Sequence, residues 1–526
     1  MVLDPIRLEI FNQILSSIAE EMGELLGRTA FSPNIKERKD YSCAIFNHRG
    51  ELIAQAAHIP VHLGSMPLSV KSAIKLIDSI NEGDIIILND PYNGGTHLPD
   101  VTVIRPVFIG DRLKFFVANR AHHSDIGGIT PGSMPLASEL IQEGIIIPPV
   151  KLYSRGEINR DILSLILANV RNPEERRADL NAQTGTLLYG EKRIKEIVEK
   201  YGEDEVDRYL SGLINYTSKM VENLIRKIPQ GKRFYFEDFL DNDGISDEPV
   251  KISVKIYRKN NKLFFDFTES DHQRRGSVNS VKAVTISAVL YVIRSLLPQG
   301  TPTNEGLMKN IEVITRECSV VDACPPSAVS AGNVETSQRI VDVVLGALYQ
   351  AFPETIPAAS QGTMNNIAFG NSSFTFYETI GGGMGASKEH DGESAIHSHM
   401  TNTLNTPIEA MELLYPVRIR KYQIRKNSGG KGLKKGADGI IKEIEFLTDV
   451  ELTLISERRK FQPYGLAGGE GGKRGEQYII YSNGKKEKLP GKFQKSLEKG
   501  EILHIETPGG GGWGGNSISS GGPDLL

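Results

Sequence analysis

Eleven histidines occur in this sequence, and eight of them fall in two windows. His58, His62, His97, His122 and His123 make the first; His390, His397 and His399 make the second. Imidazole is the commonest metal ligand and titrates near neutrality, so such clustering points to a site. The sharpest local pattern is Asn89-Asp-Pro-Tyr-Asn-Gly-Gly-Thr-His-Leu-Pro-Asp100. A buried apolar strand ends there, and a Pro/Asn/Gly-Gly loop delivers His97 and Asp100. Two further strands, 101–108 and 113–119, read as a hairpin turning at Gly110-Asp111. Paired residue numbers then sum to about 221, so Asp100 faces Ala121, with His122 and His123 beside it. Two imidazoles and a carboxylate at one end of a hairpin form the ligand set of an open catalytic metal site. Alternation along the strand does not choose between His122 and His123. Asp125 is either a further ligand or the acceptor behind one, fixing its tautomer. The plainer reading is a polar loop of hydrogen-bonded histidines.

The second window lies in a Gly/His-rich loop, 381–405. Its Gly run lacks the strand–turn–helix context and distal acid of a dinucleotide site. His397, His399 and Asn402 on that loop suit the orientation of a small polar substrate; a solvated loop is the alternative. Asn333 and Glu335 precede or open a helix expected over 335–352, where free backbone N–H groups favour anions, or where they serve as a simple cap. There is no GxxxxGK[ST] phosphate loop, no GxSxG elbow and no HExxH. Cys43 reads as a buried strand cysteine rather than a nucleophile.

These residues need elements to hold them. Asp4-Pro5 starts a helix whose apolar face is read as Ile6, Ile10, Ile14, Ile18, Met22 and Leu25. Strands are expected at 42–46 and 52–56, a helix at 68–80, and a buried strand within 84–90. Helices follow over 158–228, then a hairpin at 251–257 and 262–267. Beyond Pro416 short strands alternate with Gly-rich turns, and the Gly-rich tail reads as flexible or draped. The fold class is mixed α/β (α+β), large and multi-lobed. Cuts fall near 230 and 415: an N-terminal α/β region with the metal site over 1–230, a central α/β region over 231–415, and a β-rich part over 416–526. One single unit over 1–515 is the alternative.

Composition narrows the class. The 526 residues carry a formal net charge of -4, which disfavours a nucleic-acid partner. Three cysteines without a CxxC fit a reducing, cytoplasmic setting rather than a disulfide framework. The longest uncharged apolar stretch, 283–293, falls short of the ~20 residues of a membrane helix.

Several blocks, in order along the chain, are similar to the B-type chain of the ATP-dependent hydantoinase/5-oxoprolinase family, which includes the α subunits of acetone carboxylase. They include Glu37-Arg-Lys-Asp-Tyr-Ser-Cys-Ala44, His62-Leu-Gly-Ser-Met66, the Asn89–Asp100 loop, Ala121-His-His-Ser-Asp-Ile-Gly-Gly128, Ala331-Gly-Asn-Val-Glu-Thr-Ser-Gln338, His399-Met-Thr-Asn-Thr-Leu-Asn405 and Thr507-Pro-Gly-Gly-Gly-Gly-Trp513. The resemblance implies a separate A-type ATPase subunit in a hetero-oligomer. ATP would be handled by that partner, and the missing phosphate loop agrees. It also implies a divalent metal (Mn, Zn or Fe) on His97, Asp100 and His122, so it selects His122 over His123. The implied activity is hydrolytic opening of a cyclic imide or lactam of hydantoin or 5-oxoproline type. Carboxylation of an acetone-carboxylase kind is the alternative, and a scaffold subunit with a structural metal is the non-enzyme one. For catalysis, His123, Asp125 or Asp40 would relay a proton, and Arg120 would hold developing negative charge. Substrate contacts would come from His62, Asn333, Glu335, His397, His399 and Asn402.

Overall fold

The computed structural model describes residues 3–56 and 58–515. Asp4 caps helix α1 (Pro5–Thr29) as its sequence demands, its Oδ1 accepting the Ile6 N–H at 3.0 Å. The buried face is Phe11, Leu15, Ile18, Met22 and Leu26, whereas Ile6 and Ile10 stand 71% and 43% exposed. A strict four-residue step drifts about 40° around a helix each time, so the isoleucine series spirals off that face.

After a one-turn helix α2 (Pro33–Lys36) comes a seven-stranded sheet. Its strands are β1 (Tyr41–Asn47), β2 (Leu52–Gln55), β3 (Ile85–Leu88), β4 (Asp100–Ile109), β5 (Arg112–His122), β6 (Val150–Ser154) and β7 (Glu157–Ile158), in the order β2-β1-β5-β4-β3-β6-β7. All four residues of β3 are buried, as a non-alternating apolar run requires. Helix α3 occupies Ser65–Leu76, starting earlier than the expected 68. The β4–β5 hairpin keeps the expected register only near its turn, where Ile109 pairs with Arg112 and Phe108 with Leu113. A bulge between Val107 and Phe108 then shifts every later pair by one, and Asp100 faces His122 instead of Ala121.

Three helices follow, α4 (Arg160–Ala168), α5 (Pro173–Tyr201) and α6 (Glu203–Arg226), with α5 packed on α1, β4 and β5. A second sheet holds β8 (Arg233–Leu240), β9 (Val250–Lys259), β10 (Lys262–Asp266) and β11 (Ile311–Ile314); β9 and β10 are the expected hairpin. Helix α7 (Lys282–Ser295) is largely buried, and α8 (Ser337–Tyr349) packs against α7, β8 and β9. The helix expected from 335 thus begins two residues later, after a π-helical turn over Gly332–Thr336 that carries Asn333 and Glu335.

Two antiparallel sheets make up the C-terminal part. One orders Thr375–Glu378, Asn366–Gly370, Val450–Ile455 and Lys492–Leu497, so it takes strands from both sides of residue 415. The other orders Val417–Arg425, Gly439–Phe446, Ile502–Glu506, Glu476–Ile480 and Lys486–Lys488. The chain is a mixed α+β protein with several sheets.

Two expectations are corrected. Residues 507–512 are not a loose tail: Thr507, Pro508 and Gly509–Gly512 are buried. Their backbone exchanges hydrogen bonds with other loops, including Gly510 N–H to Ala437 O at 2.9 Å and Gly511 N–H to Ala359 O at 2.8 Å. A side-chain-free backbone can fill a crowded channel, which composition alone does not reveal. The Gly-rich residues from 516 onward lie outside the described residues. Cys318 and Cys324 form a disulfide, their Cα atoms 4.9 Å apart across a tight turn, so only Cys43 is a free thiol. Cys43 is buried in β1, and burial pushes its thiol well above the ordinary range. No described helix is long and apolar enough to cross a membrane.

Candidate metal centre

The end of the β4–β5 hairpin, the loop before β4 and the short helix α2 build one buried cluster. Among the described residues, His97, Asp100 and His122 are the one group of three whose ligand atoms all lie within 4.8 Å of one another. His97 Nε2 stands 3.4 Å from Asp100 Oδ2, and His62 Nε2 stands 3.3 Å from the same oxygen. Thr96 Oγ1 donates to it at 2.5 Å. Burial opposes ionisation of Asp100, but His97 and His62 hold its carboxyl well below the usual carboxylate range. Burial, and then the nearby His97, drive His122 well below the ordinary imidazole value, leaving the neutral form that binds metals.

The donor set fits a metal ion on its own terms. Both ring nitrogens of His97 and Nε2 of His122 are buried without a hydrogen-bond partner, which is costly for polar atoms with nothing to bind. Asp100 and His122 open on a cleft of about 20 Å³, room for one ion or one water. His122 is fixed from behind. Asn34 Nδ2 donates to its backbone carbonyl at 2.6 Å, and the Tyr377 ring stacks on its imidazole at 4.4 Å. Arg38 in turn donates to Asn34 Oδ1 and lies over Tyr377. Loss of such an outer partner weakens metal sites by about 10- to 100-fold. Asn34→Ala should therefore lower divalent-metal affinity by that factor, read by chelator competition, while the fold persists.

Similarity to known proteins runs along the whole chain. The family model described as hydantoinase B/oxoprolinase matches residues 4–516. The chain belongs to the hydantoinase B/oxoprolinase family. It is 40% identical to 5-oxoprolinase 1 of Arabidopsis thaliana over 98% of its own length, yet spans only 42% of that protein. It is 31% identical to a Pseudomonas sp. protein named for the B-type chain of a D-/L-hydantoinase, covering 97% of this chain and 90% of the other. Among solved structures, the ATP-dependent caprolactamase of Pseudomonas jessenii superposes with a TM-score of 0.90 at 28% identity, over 98% of this chain and 92% of that one. Acetone carboxylase shares the fold, with a TM-score of 0.90 at 17% identity over 97% and 76% of the two chains.

In this hydantoinase B/oxoprolinase chain the other sequence-derived candidates divide into three settings. Asp40, His62 and Asn333 line the same cleft as Asp100 and His122. Asn333 Nδ2 reaches Asp100 Oδ2 at 3.5 Å while its Oδ1 is buried and unpartnered. Burial pushes Asp40 up to about 7 against the opposing Arg38 guanidinium, 3.6 Å away. His397, His399 and Asn402 line a neighbouring cavity of about 610 Å³, which shares Ile59 and Thr401 with the cleft. His390 is exposed.

Four candidates are held by other tasks. His123, one residue past His122, turns to the opposite face, where its Nε2 meets Gln183 Oε1 of α5 at 2.9 Å. Asp125 staples a loop: its carboxylate accepts from the Gly127, Gly132 and Arg171 N–H groups and pairs with the Arg171 guanidinium at 3.0 Å. Arg120 is fully buried and ties the sheet to α3, donating to Thr102, Ser65 and Ser69 hydroxyls at 2.6–2.8 Å. Glu335 accepts from Met364 N–H and Asn366 Nδ2, bracing the 366–370 strand, and burial pushes it up to about 8. Sequence reasoning did not single out Asn34, Arg38, Thr96 or Tyr377. Asn34 lies in α2 and Arg38 just past its end, four residues on, a signal at hand, whereas Tyr377 arrives from a remote strand with none.

Proposed function

We propose that this chain is the ring-opening, B-type component of an ATP-dependent cyclic-amide hydrolase of the hydantoin or 5-oxoproline type, working in a hetero-oligomer with an A-type ATPase chain. The observation that carries this reading is the set of unpartnered His97 and His122 ring nitrogens, buried beside the Asp100 carboxylate at a cleft of about 20 Å³. Family membership, the Pseudomonas relative named for a B-type hydantoinase chain and the absence of a phosphate loop support the division of labour.

A divalent ion (Mn, Zn or Fe) on His97, Asp100 and His122 would supply Lewis acidity and acidify water there. The amide of a small ring is a poor electrophile, and phosphorylation of its oxygen on the A-type chain makes the ring carbon attackable. The Asn333 side chain and His62 line the cleft and orient that carbon. Asp40 is placed to take the proton released as water adds. Water adds at the carbon, the ring C–N bond breaks with the nitrogen taking up a proton, and a second water cleaves the resulting acyl phosphate to the opened acid and inorganic phosphate. The 610 Å³ cavity bearing His397, His399 and Asn402 is the approach to the cleft.

The test is reconstitution of the purified chain with an A-type ATPase, ATP and a cyclic amide, with and without bicarbonate. Ring-opened product should form with phosphate in equal amount and with no bicarbonate requirement. An absolute bicarbonate requirement, with a carboxylated product, would replace hydrolysis by carboxylation.

A further inference from the structure

Arg294 stands in the last turn of α7 and lines the 610 Å³ cavity. Among the described residues of that lining it is the one side chain with a permanent charge, since no Asp, Glu or Lys joins it. His58, His397 and His399 line the cavity too, but burial pushes each down to about 4, so near neutrality they are uncharged. Several other part-buried or buried arginines are matched to carboxylates, as Arg105 is to Glu191, Arg171 to Asp125 and Arg458 to Asp342, and fully buried Arg120 is saturated by three hydroxyls. The contact of Arg294 is different: its Nε donates to Thr303 Oγ1 at 3.3 Å, and no carboxylate among the described residues lies within ion-pair distance. A guanidinium half-removed from water without a counter-charge is unfavourable by itself, and its planar fork matches a carboxylate or phosphoryl oxyanion. The cavity and the cleft at Asp100 and His122 share Ile59 and Thr401 in their walls, so a molecule held at Arg294 lies in the space adjoining that cluster.

We propose that Arg294 is the oxyanion anchor of this cavity and selects an anionic ligand, through either a carboxylate carried by the cyclic amide or the phosphoryl group placed on it. The choice of ligand rests on the ring-opening reading; the anion preference does not. Calorimetric titration of the metal-loaded chain tests it without turnover, using 5-oxoproline, uncharged 2-pyrrolidinone and inorganic phosphate as probes. Wild type should bind at least one of the two anions. Arg294→Gln should weaken that anion by about 10- to 100-fold, the scale of a lost charge-assisted bond pair. Arg294→Lys should recover much of the loss, and 2-pyrrolidinone should be unaffected throughout. Loss confined to 5-oxoproline assigns the ring carboxylate; loss that includes phosphate assigns the phosphoryl group. Unchanged anion affinities in Arg294→Gln, an equal loss for the uncharged ring, or no anion binding to wild type would overturn the anchor. If the reconstituted enzyme opened no ring while these affinities shifted as expected, the ring-opening reading would fail and the anchor would stand.

Discussion

Alanine at His97 or at His122 should abolish binding of the proposed divalent ion, while alanine at His123 should leave it in place. Mass spectrometry of the purified proteins would find about one equivalent in wild type and in His123→Ala, and none in the other two. The contrast between neighbours is the informative part. Both histidines sit at the end of β5, but His122 pairs across to Asp100 while His123 is engaged by Gln183 on α5. Ring-opening with the A-type partner should fall at least about a hundredfold in the two metal-free variants, since even outer partners of a metal site act on that scale. No metal in wild type after loading, or metal retained in His97→Ala, would mean that the unpartnered imidazoles serve something else. The Asn34→Ala variant is the graded companion, with His97, Asp100 and His122 intact and only the side chain that ties the His122 backbone to Arg38 removed.

That hairpin also shows where reading a sequence stops. Strand alternation and a two-residue turn were enough to bring His97, Asp100 and the His122-His123 pair to one place. They were not enough for the register, because a bulge between Val107 and Phe108 carries no distinctive residue and still moves every later pair by one. Local signals likewise located β1, β3, β9, β10 and most of the α-helices. The strand at 366–370 escaped because its inner partner, Val450–Ile455, lies about 80 and more residues away, beyond any periodicity window, and 375–378, its hairpin neighbour at the sheet edge, is a run of only four residues. Tyr377, which stacks on His122, belongs to that group. The part of the site that local reasoning lacked thus came from a hairpin far along the chain, whose edge strand packs Tyr377 against His122. His123, Asp125 and Arg120 stood out in the sequence as polar residues close to the ligands. In the fold they hold α5, a loop and α3, the fixed framework on which the cluster depends.

The C-terminal glycines extend that framework, and the sign of a substitution there should be opposite to the usual one. A Cβ on Gly510 would fall inside the van der Waals radius of the Met384 carbonyl oxygen, and one on Gly511 inside that of Tyr464. Both obstacles are backbone, so no side chain can swing aside. Gly511 also receives the Ala386 N–H at 2.9 Å, and Gly383 N–H reaches Pro508 O at 3.0 Å, so the segment is laced to the 383–386 loop. Met384 of that loop lines the 610 Å³ cavity. Gly510→Ala and Gly511→Ala should each cost about 3 kcal/mol, the upper part of the usual range for overfilling a packed interior. The readout is thermal denaturation, together with weaker binding of any ligand that the cavity holds. Gly185→Ala is the matched control: it lies exposed in α5 with nothing within 4 Å of the added carbon. Alanine there should stabilise the helix by up to about 1 kcal/mol. A glycine-rich end that tolerated alanine as Gly185 does would be a loose tail after all, and the wall of the cavity would need another support. If the two groups diverge as stated, the glycines are there because any side chain would collide with a neighbouring backbone, and the cavity's shape depends on their remaining bare.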